Sequence, residues 1–243
     1  MSAGFLKALG VPLGDLLYPR TCCGCGEPGP EAFRYLCWDC WMTVQFMHPP
    51  MCSRCGDTVS GRVDRAFVCR SCSGPERFFD RARSAVRHEG AFREAIHAFK
   101  YSCGIWMAED LACLLDACVD THFDAGRIQL IVPVPLHPAR RRKRGYNQAS
   151  LLATKLARRL AKPCKTSVLL RIRDTDTQTR LTAEERLNNM RGAFLALRRE
   201  AIQGKHILLV DDVMTSGATT DECARVLKEA EASTVEVVTV ARG

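Results

Sequence analysis

Apolar residues along this chain fall into two kinds of run. Short blocks rich in branched side chains, too short for helices, predict buried strands at 130–136, 167–172, 205–210 and 235–240, with a first strand over 81–86. Between them the apolar positions recur at helical spacing. Phe92, Ile96 and Phe99 mark one helix, 105–119 fits a second amphipathic helix, Ala149, Leu152, Leu156 and Leu160 share a face of a third, and Ala218, Cys223, Val226, Leu227 and Ala230 share a face of a fourth. The frequent valines of 235–240 suit a strand buried on both faces. Pro133 and Pro135 suit a strand end or a sheet edge rather than a central ladder. Strands alternating with helices predict an α/β fold for residues 79–243. Residues 1–78 read as a separate small module, with Gly74-Pro75 as the linker.

One stretch carries a specific chemical reading. Ile207 to Val210 is followed by Asp211 and Asp212, then by the small residues Thr215, Ser216, Gly217, Ala218 and Thr219, then by a helix. A strand feeding a small-residue loop and a helix N-terminus is a phosphate cradle, because free backbone N–H groups and the positive helix end face the anion and Gly217 lets the backbone come close. The carboxylates would stand beside the phosphate, suited to sugar hydroxyls or to a hydrated magnesium ion. The plain alternative is a strand–turn–helix junction in which Thr215 or Ser216 caps the helix and the aspartates end the strand.

The front module is organised by cysteines. Nine of the 14 cysteines lie in the first 72 residues, and eight of them form Cys-x-x-Cys pairs: Cys22/Cys25, Cys37/Cys40, Cys52/Cys55 and Cys69/Cys72. Residues 1–20 lack an uninterrupted apolar core of the secretory kind, and no segment approaches the length of a membrane span, so we expect a cytoplasmic protein with reduced thiols. Paired thiols there read as metal ligands. Two pairs complete a closed four-thiolate site, which predicts about two structural zinc ions per chain. Sequential pairing is the simplest assignment, and a crossed pairing stays open. Cys23 is a bystander. Trp38, Trp41 and Phe46 either stack on bases or, in the reading we prefer, fill the gap between this module and the α/β domain.

Charge separates the two parts. Of a net charge of +8, residues 1–80 contribute nothing, with eight basic and eight acidic side chains, whereas 81–243 hold 27 basic and 19 acidic ones. A basic α/β domain suits a polyanion, whether a pyrophosphorylated sugar or nucleic acid. Five consecutive basic residues, 140–144, follow the strand at 130–136, and we expect them in a loop at the strand's carboxyl end, where α/β proteins address ligands. Lys100 ends the first helix, where it either reaches a phosphate or stays solvated.

Several motifs together resemble a known family. The apolar run, acid pair and Thr-Ser-Gly-Ala-Thr loop are similar to the signature of phosphoribosyltransferases. Pro133-Val-Pro-Leu136, Arg144-Gly-Tyr-Asn-Gln148, Asp174-Thr-Asp-Thr-Gln-Thr179, Glu185-Arg186, Asn189 and Arg191-Gly-Ala-Phe194 resemble one branch, the ComF family, as do the leading cysteine pairs after Leu16-Leu-Tyr-Pro19. The resemblance implies a type I phosphoribosyltransferase-like domain with a mainly parallel sheet, preceded by a double zinc ribbon. It implies 5-phosphoribosyl 1-pyrophosphate (PRPP) on Asp211, Asp212, Thr215, Ser216, Gly217, Ala218 and Thr219 with magnesium. The pyrophosphate would lie against Arg140, Arg144, Gly145, Asn147, Gln148 and Lys100. Thr177, Gln178 and Arg186 would belong to a closing lid, although an ordinary surface loop with a helix cap at Thr182 fits them equally well. Two functions follow: transfer of a phosphoribosyl group to an unassigned acceptor, or a non-catalytic role in handling single-stranded DNA with the DNA-uptake machinery of natural transformation. No side chain stands out as a base for the acceptor.

Overall fold

The computed structural model describes residues 21–27, 35–59, 61, 65–74, 77–101, 104–175, 185 and 189–243. Its strands are β1 (Arg81–Arg87), β2 (Leu130–Pro133), β3 (Leu169–Arg171), β4 (Phe194–Ala196), β5 (His206–Met214) and β6 (Thr234–Arg242). Its helices are α1 (Trp38–Met42), α2 (Arg70–Ser73), α3 (Gly90–Tyr101), α4 (Ala108–His122), α5 (Pro138–Arg144), α6 (Gln148–Arg159) and α7 (Ala218–Glu229). Four strands form one parallel sheet in the order β1-β6-β5-β2, while β3 and β4 pair antiparallel beside it.

Both faces of the parallel sheet are covered, as its apolar strands require. On one face Phe92 and Ile96 of α3, Leu115 of α4 and Leu152 and Leu156 of α6 pack on Leu208, Val210, Val238 and Val240. On the other, Cys223 and Leu227 of α7 with Phe194 and Ile202 pack on Ile207, Leu209, Val235 and Val237. Each large side chain buried this way contributes on the order of 1.5–3 kcal/mol. β6, between β1 and β5, carries the valine run; Pro133 closes β2, at the sheet's edge, in accord with its missing N–H.

Four sequence expectations are corrected. The strand at 130–136 stops at Pro133. The basic residues 140–144 lie in a helix, not a loop: Pro138 opens α5 and Gly145 closes it at φ 83°, the left-handed conformation that glycine adopts without penalty. The strand at 205–210 continues to Met214, so both aspartates belong to it. Finally, the helix over 105–119 begins as a 3₁₀ turn, Ile105–Met107, and runs to His122. Thr177, Gln178, Thr182 and Arg186 lie outside the described residues.

The cysteine module sits against the free edge of β1. Ala82 N–H donates to Arg54 O at 2.7 Å, Met47 N–H to Ala85 O at 3.0 Å and Arg87 N–H to Gln45 O at 2.8 Å. Phe46 forms an antiparallel bridge with Val86 and meets Trp41 edge-on, ring centroids 5.8 Å apart. Trp41 packs against the core of the α/β part, whereas Phe46 and Trp38 stay 41% and 55% exposed.

Candidate functional site

The cysteines gather into two clusters, Cys22/Cys25/Cys37/Cys40 and Cys52/Cys55/Cys69/Cys72, whose ligand atoms lie within 4.8 Å of one another. Pairing is sequential, and four sulfurs at this spacing fit one tetrahedral zinc each with no open position. The chain arranges donors for the sulfurs in advance. Cys22 Sγ accepts from the N–H groups of Gly24 (3.3 Å) and Cys37 (3.2 Å), and Cys52 Sγ from those of Cys55 (3.5 Å) and Cys69 (3.3 Å). Burial works to raise these two thiols, but the backbone N–H groups outweigh it and bring Cys22 down to about 6 and Cys52 to about 7. One thiol in each cluster is thus ready to lose its proton to a metal. Cys23 belongs to neither cluster.

At the carboxyl end of β5 the sheet delivers Asp211 and Asp212 to the start of the loop. Gly217 holds φ 78° as the residue before α7, and Ser216 Oγ accepts from Ala218 N–H at 3.4 Å. The remaining N–H groups of the first turn precede any partner within the helix, as an anion cradle requires. Thr220, fully buried, donates from Oγ1 to Gly217 O at 3.0 Å and ties the loop to the helix.

Adjacent on the strand, the two aspartates take different partners. Asp212 pairs with Lys100 Nζ at 3.2 Å, so the lysine at the end of α3 does reach the acid pair. Asp211 lies deep in the molecule although part of its surface is open. Burial, then the neighbouring Asp212 carboxylate, push it up to about 8, against the opposing pull of Asp212 N–H, Lys100 and Arg171. Its oxygen accepts from Asp212 N–H at 2.9 Å.

The basic helix closes the other wall. Arg144 reaches back to Tyr101, its guanidinium 4.8 Å from the ring centre and Nη2 3.1 Å from the hydroxyl, and donates from Nη1 to Gln148 Oε1 at 3.3 Å. Gln148, 2% exposed, donates in turn to Lys100 O at 3.4 Å. Asn147 caps α6, accepting from Ala149 N–H at 3.1 Å, and braces the end of β2 by donating to Val134 O at 3.0 Å. Val134 N–H donates to Val210 O at 2.9 Å, one residue before Asp211. Lys100 thus meets Asp212 through its side chain and is tied through its carbonyl to Gln148 and so to Arg144, while Asn147 and Gly145 shape the turn between α5 and α6. Arg140 engages the segment after β3: Nε contacts Asp174 at 2.9 Å and Nη2 donates to Thr175 O at 2.9 Å.

Sequence reasoning passed over two side chains here. Arg171, 7% exposed, donates to Thr175 Oγ1 at 2.6 Å and carries charge toward Asp211. His88, at the end of β1, feels both Lys100 and Asp212, and burial, then Lys100, lower its pKa. Neither belongs to a local motif. Each reaches the acid pair only through strand order.

The comparisons with known proteins accord with this layout. Residues 13–73 match the double zinc ribbon domain and residues 147–243 the phosphoribosyl transferase domain. Competence protein F of Haemophilus influenzae is 30% identical over 85% of this chain and 90% of its own length. DNA utilization protein YhgH of Salmonella typhimurium is 33% identical over 83% and 94% respectively, and competence protein ComFC of Bacillus subtilis 26% over 85% and 84%. Among the described residues, no helix is long and apolar enough to cross a membrane. With a double zinc ribbon set on the edge of a phosphoribosyltransferase sheet and relatives alike over nearly their whole length, the chain belongs to the ComF family.

Proposed function

We propose that the cradle and the basic wall form one pocket for PRPP, bound with magnesium, on a domain spanning 79–243 behind a zinc-ribbon module of 1–78. The observation that carries this reading is the contact of Lys100 with Asp212 next to the phosphate loop, with Gln148 linking the Lys100 carbonyl to Arg144. The first-turn N–H groups of α7, with Thr215, Ser216, Gly217, Ala218 and Thr219, hold the 5-phosphate. Asp211 and Asp212 take the ribose hydroxyls and steady positive charge that builds on the ring as the bond from C1 to pyrophosphate breaks. Lys100 and Arg144 receive the charge of the departing pyrophosphate, and Arg140 joins them by exchanging Asp174 for phosphate oxygens. Adjoining carboxyls, one pushed up to about 8 by burial and then by the other's charge, suit a hard cation bound through one or two carboxylates and the ligand's own oxygens. Magnesium held by these carboxylates would supply positive charge beside the leaving group.

Calorimetric titration with PRPP tests the pocket. Binding is expected to need magnesium and to weaken by about a hundredfold in Asp211→Asn/Asp212→Asn, the scale of removing charge-assisted hydrogen bonds from a buried site. Unchanged affinity removes the assignment. Pyrophosphate release across a panel of bases, amines and DNA then separates transfer from binding alone.

A second reading, an accessory role on single-stranded DNA, is favoured by one feature: Tyr101, 59% exposed, stacks under Arg144 at the end of a helix whose Arg141, Arg142 and Lys143 face solvent. An aromatic face beside a row of cations suits bases and backbone phosphates. Replacing 140–144 by neutral residues should flatten the salt dependence of DNA affinity. An unaltered slope speaks against contact through this helix.

A further inference from the structure

A cavity of about 350 Å³ lies on the other side of the phosphate loop, at the seam with the second cysteine cluster. Asp57, Ser71, Arg77, Thr215, Ser216 and Arg242 line it. Its two arginines are 7% and 8% exposed, and their donors are incompletely used. Arg77 Nη2 donates to the carbonyls of Ser71 and Ser216, both at 3.3 Å, but Nη1 meets no acceptor among the described residues, with Asp221 3.8 Å away. Among the described residues the Arg242 guanidinium has only long contacts from Nη2, 3.5 Å to Asp57 and 3.8 Å to Cys55 Sγ, and neither Nε nor Nη1 has an acceptor. Buried N–H groups without acceptors are costly and uncommon. Two such guanidiniums in one cavity wall, with hydroxyls from Ser71, Thr215 and Ser216, leave donors unmatched even though the Asp57 carboxylate and the Cys55 and Cys72 sulfurs also line it.

We propose that this cavity is a second phosphate site, beyond the ribose-phosphate cradle, and that it takes the terminal phosphate of a nucleotide. A phosphate offers several acceptor oxygens and the charge that a guanidinium fork matches. Rotation about the last torsions of Arg242 exchanges its two long contacts for charge-assisted ones of about 2.7–2.9 Å. The space exceeds what a phosphate alone fills, leaving room for the attached nucleoside. Thr215 and Ser216 belong to both sites, so the loop stands between two phosphates, one at the start of α7 and one at the ribbon.

The test uses zinc-loaded full-length protein, calorimetry and four probes: inorganic phosphate, thymidine 5′-monophosphate, and oligothymidylate ending in a 5′-phosphate or a 5′-hydroxyl. Arg242→Gln is expected to weaken phosphate binding by about tenfold or more at unchanged zinc content. Asp57→Asn, which releases Arg242, is expected to tighten it. If Arg242→Gln sheds zinc, Arg77→Gln serves in its place. Should Arg242 serve only to offset the thiolates, its variant lowers zinc content while Arg77→Gln leaves phosphate binding unchanged, and the proposal is overturned. Stoichiometry keeps the two sites apart. If the cradle reading fails, wild type binds one phosphate that Arg242→Gln loses; if this one fails, whatever binds survives in both arginine variants. Binding of the mononucleotide identifies a free ligand, and preference for the 5′-phosphorylated strand over its hydroxyl counterpart identifies a strand end. Equal binding of the two strands with none of the mononucleotide overturns the site.

Discussion

Gly26 and Gly56 allow the docking of the ribbon to be weighed. Each follows the second cysteine of a pair, and each is left-handed, at φ 80° and 71°. Alanine in that conformation costs about 1–2 kcal/mol at either position. Their surroundings differ. Among the described residues a Cβ on Gly26 has no neighbour within 4 Å, whereas one on Gly56 lies 2.7 Å from Ala82 O and 3.3 Å from Arg83 Cδ. The arginine carbon can move; the carbonyl belongs to β1. Reaching an ordinary contact of about 3.4 Å means parting knuckle and strand by about 0.7 Å. Taken along the Ala82–Arg54 hydrogen bond, now 2.7 Å, this stretches it to the limit of useful geometry and forfeits about 1 kcal/mol, with further loss from packing. We therefore expect Gly56→Ala to cost about 1–2 kcal/mol more than Gly26→Ala, or about 2–8 °C in Tm for a chain of this size. Thermal melts at matched zinc content measure the difference. Hydrogen exchange localises it, since the Ala82 amide should exchange faster in Gly56→Ala and normally in Gly26→Ala. Equal losses in the two variants, with Ala82 equally protected, would refute a ribbon held against the strand.

Three further outcomes are expected. Elemental analysis should find about two zinc ions in the native chain and about one in Cys52→Ser, because each cluster closes on its own four sulfurs. Asp211, raised from 3.8 to about 8, binds a proton in the folded state that the unfolded chain releases, so its contribution is whole below about pH 4 and is lost as pH rises to about 8. The stability gained by Asp211→Asn over wild type, followed by denaturant melts without magnesium, should therefore grow between those limits, and a gap constant with pH would refute it. Asn147→Ala removes a helix cap and the brace to Val134, and should cost about 1–2 kcal/mol by the same melts.

The parts of the site that were legible in the sequence are those contiguous along it. Asp211 to Thr219 reads as a cradle because strand, acids, loop and helix follow one another within a few residues, and the structure keeps that order. Cysteine spacing announced two metal sites, but the choice between sequential and crossed pairing needed the fold. The helical nature of 140–144 is also written locally, since Pro138 and Gly145 are start and stop signals around the charge run. β4, three residues long, is too brief to show a period. Lys100 beside Asp212, and Arg77 and Arg242 around one cavity, depend on which strands lie side by side, which no local pattern encodes.

The position of β1 bears on how the protein is made. One neighbour, the ribbon backbone at Gln45, Met47 and Arg54, leaves the ribosome before β1; the other, β6, follows only after β5. Throughout synthesis of everything between, the ribbon is the partner at hand, and its shape depends on metal. A nascent chain short of zinc would present an open strand edge, the kind of surface on which neighbouring chains pair and aggregate. Zinc supply during translation would then set the yield of soluble protein, whatever the finished molecule's need for the metal.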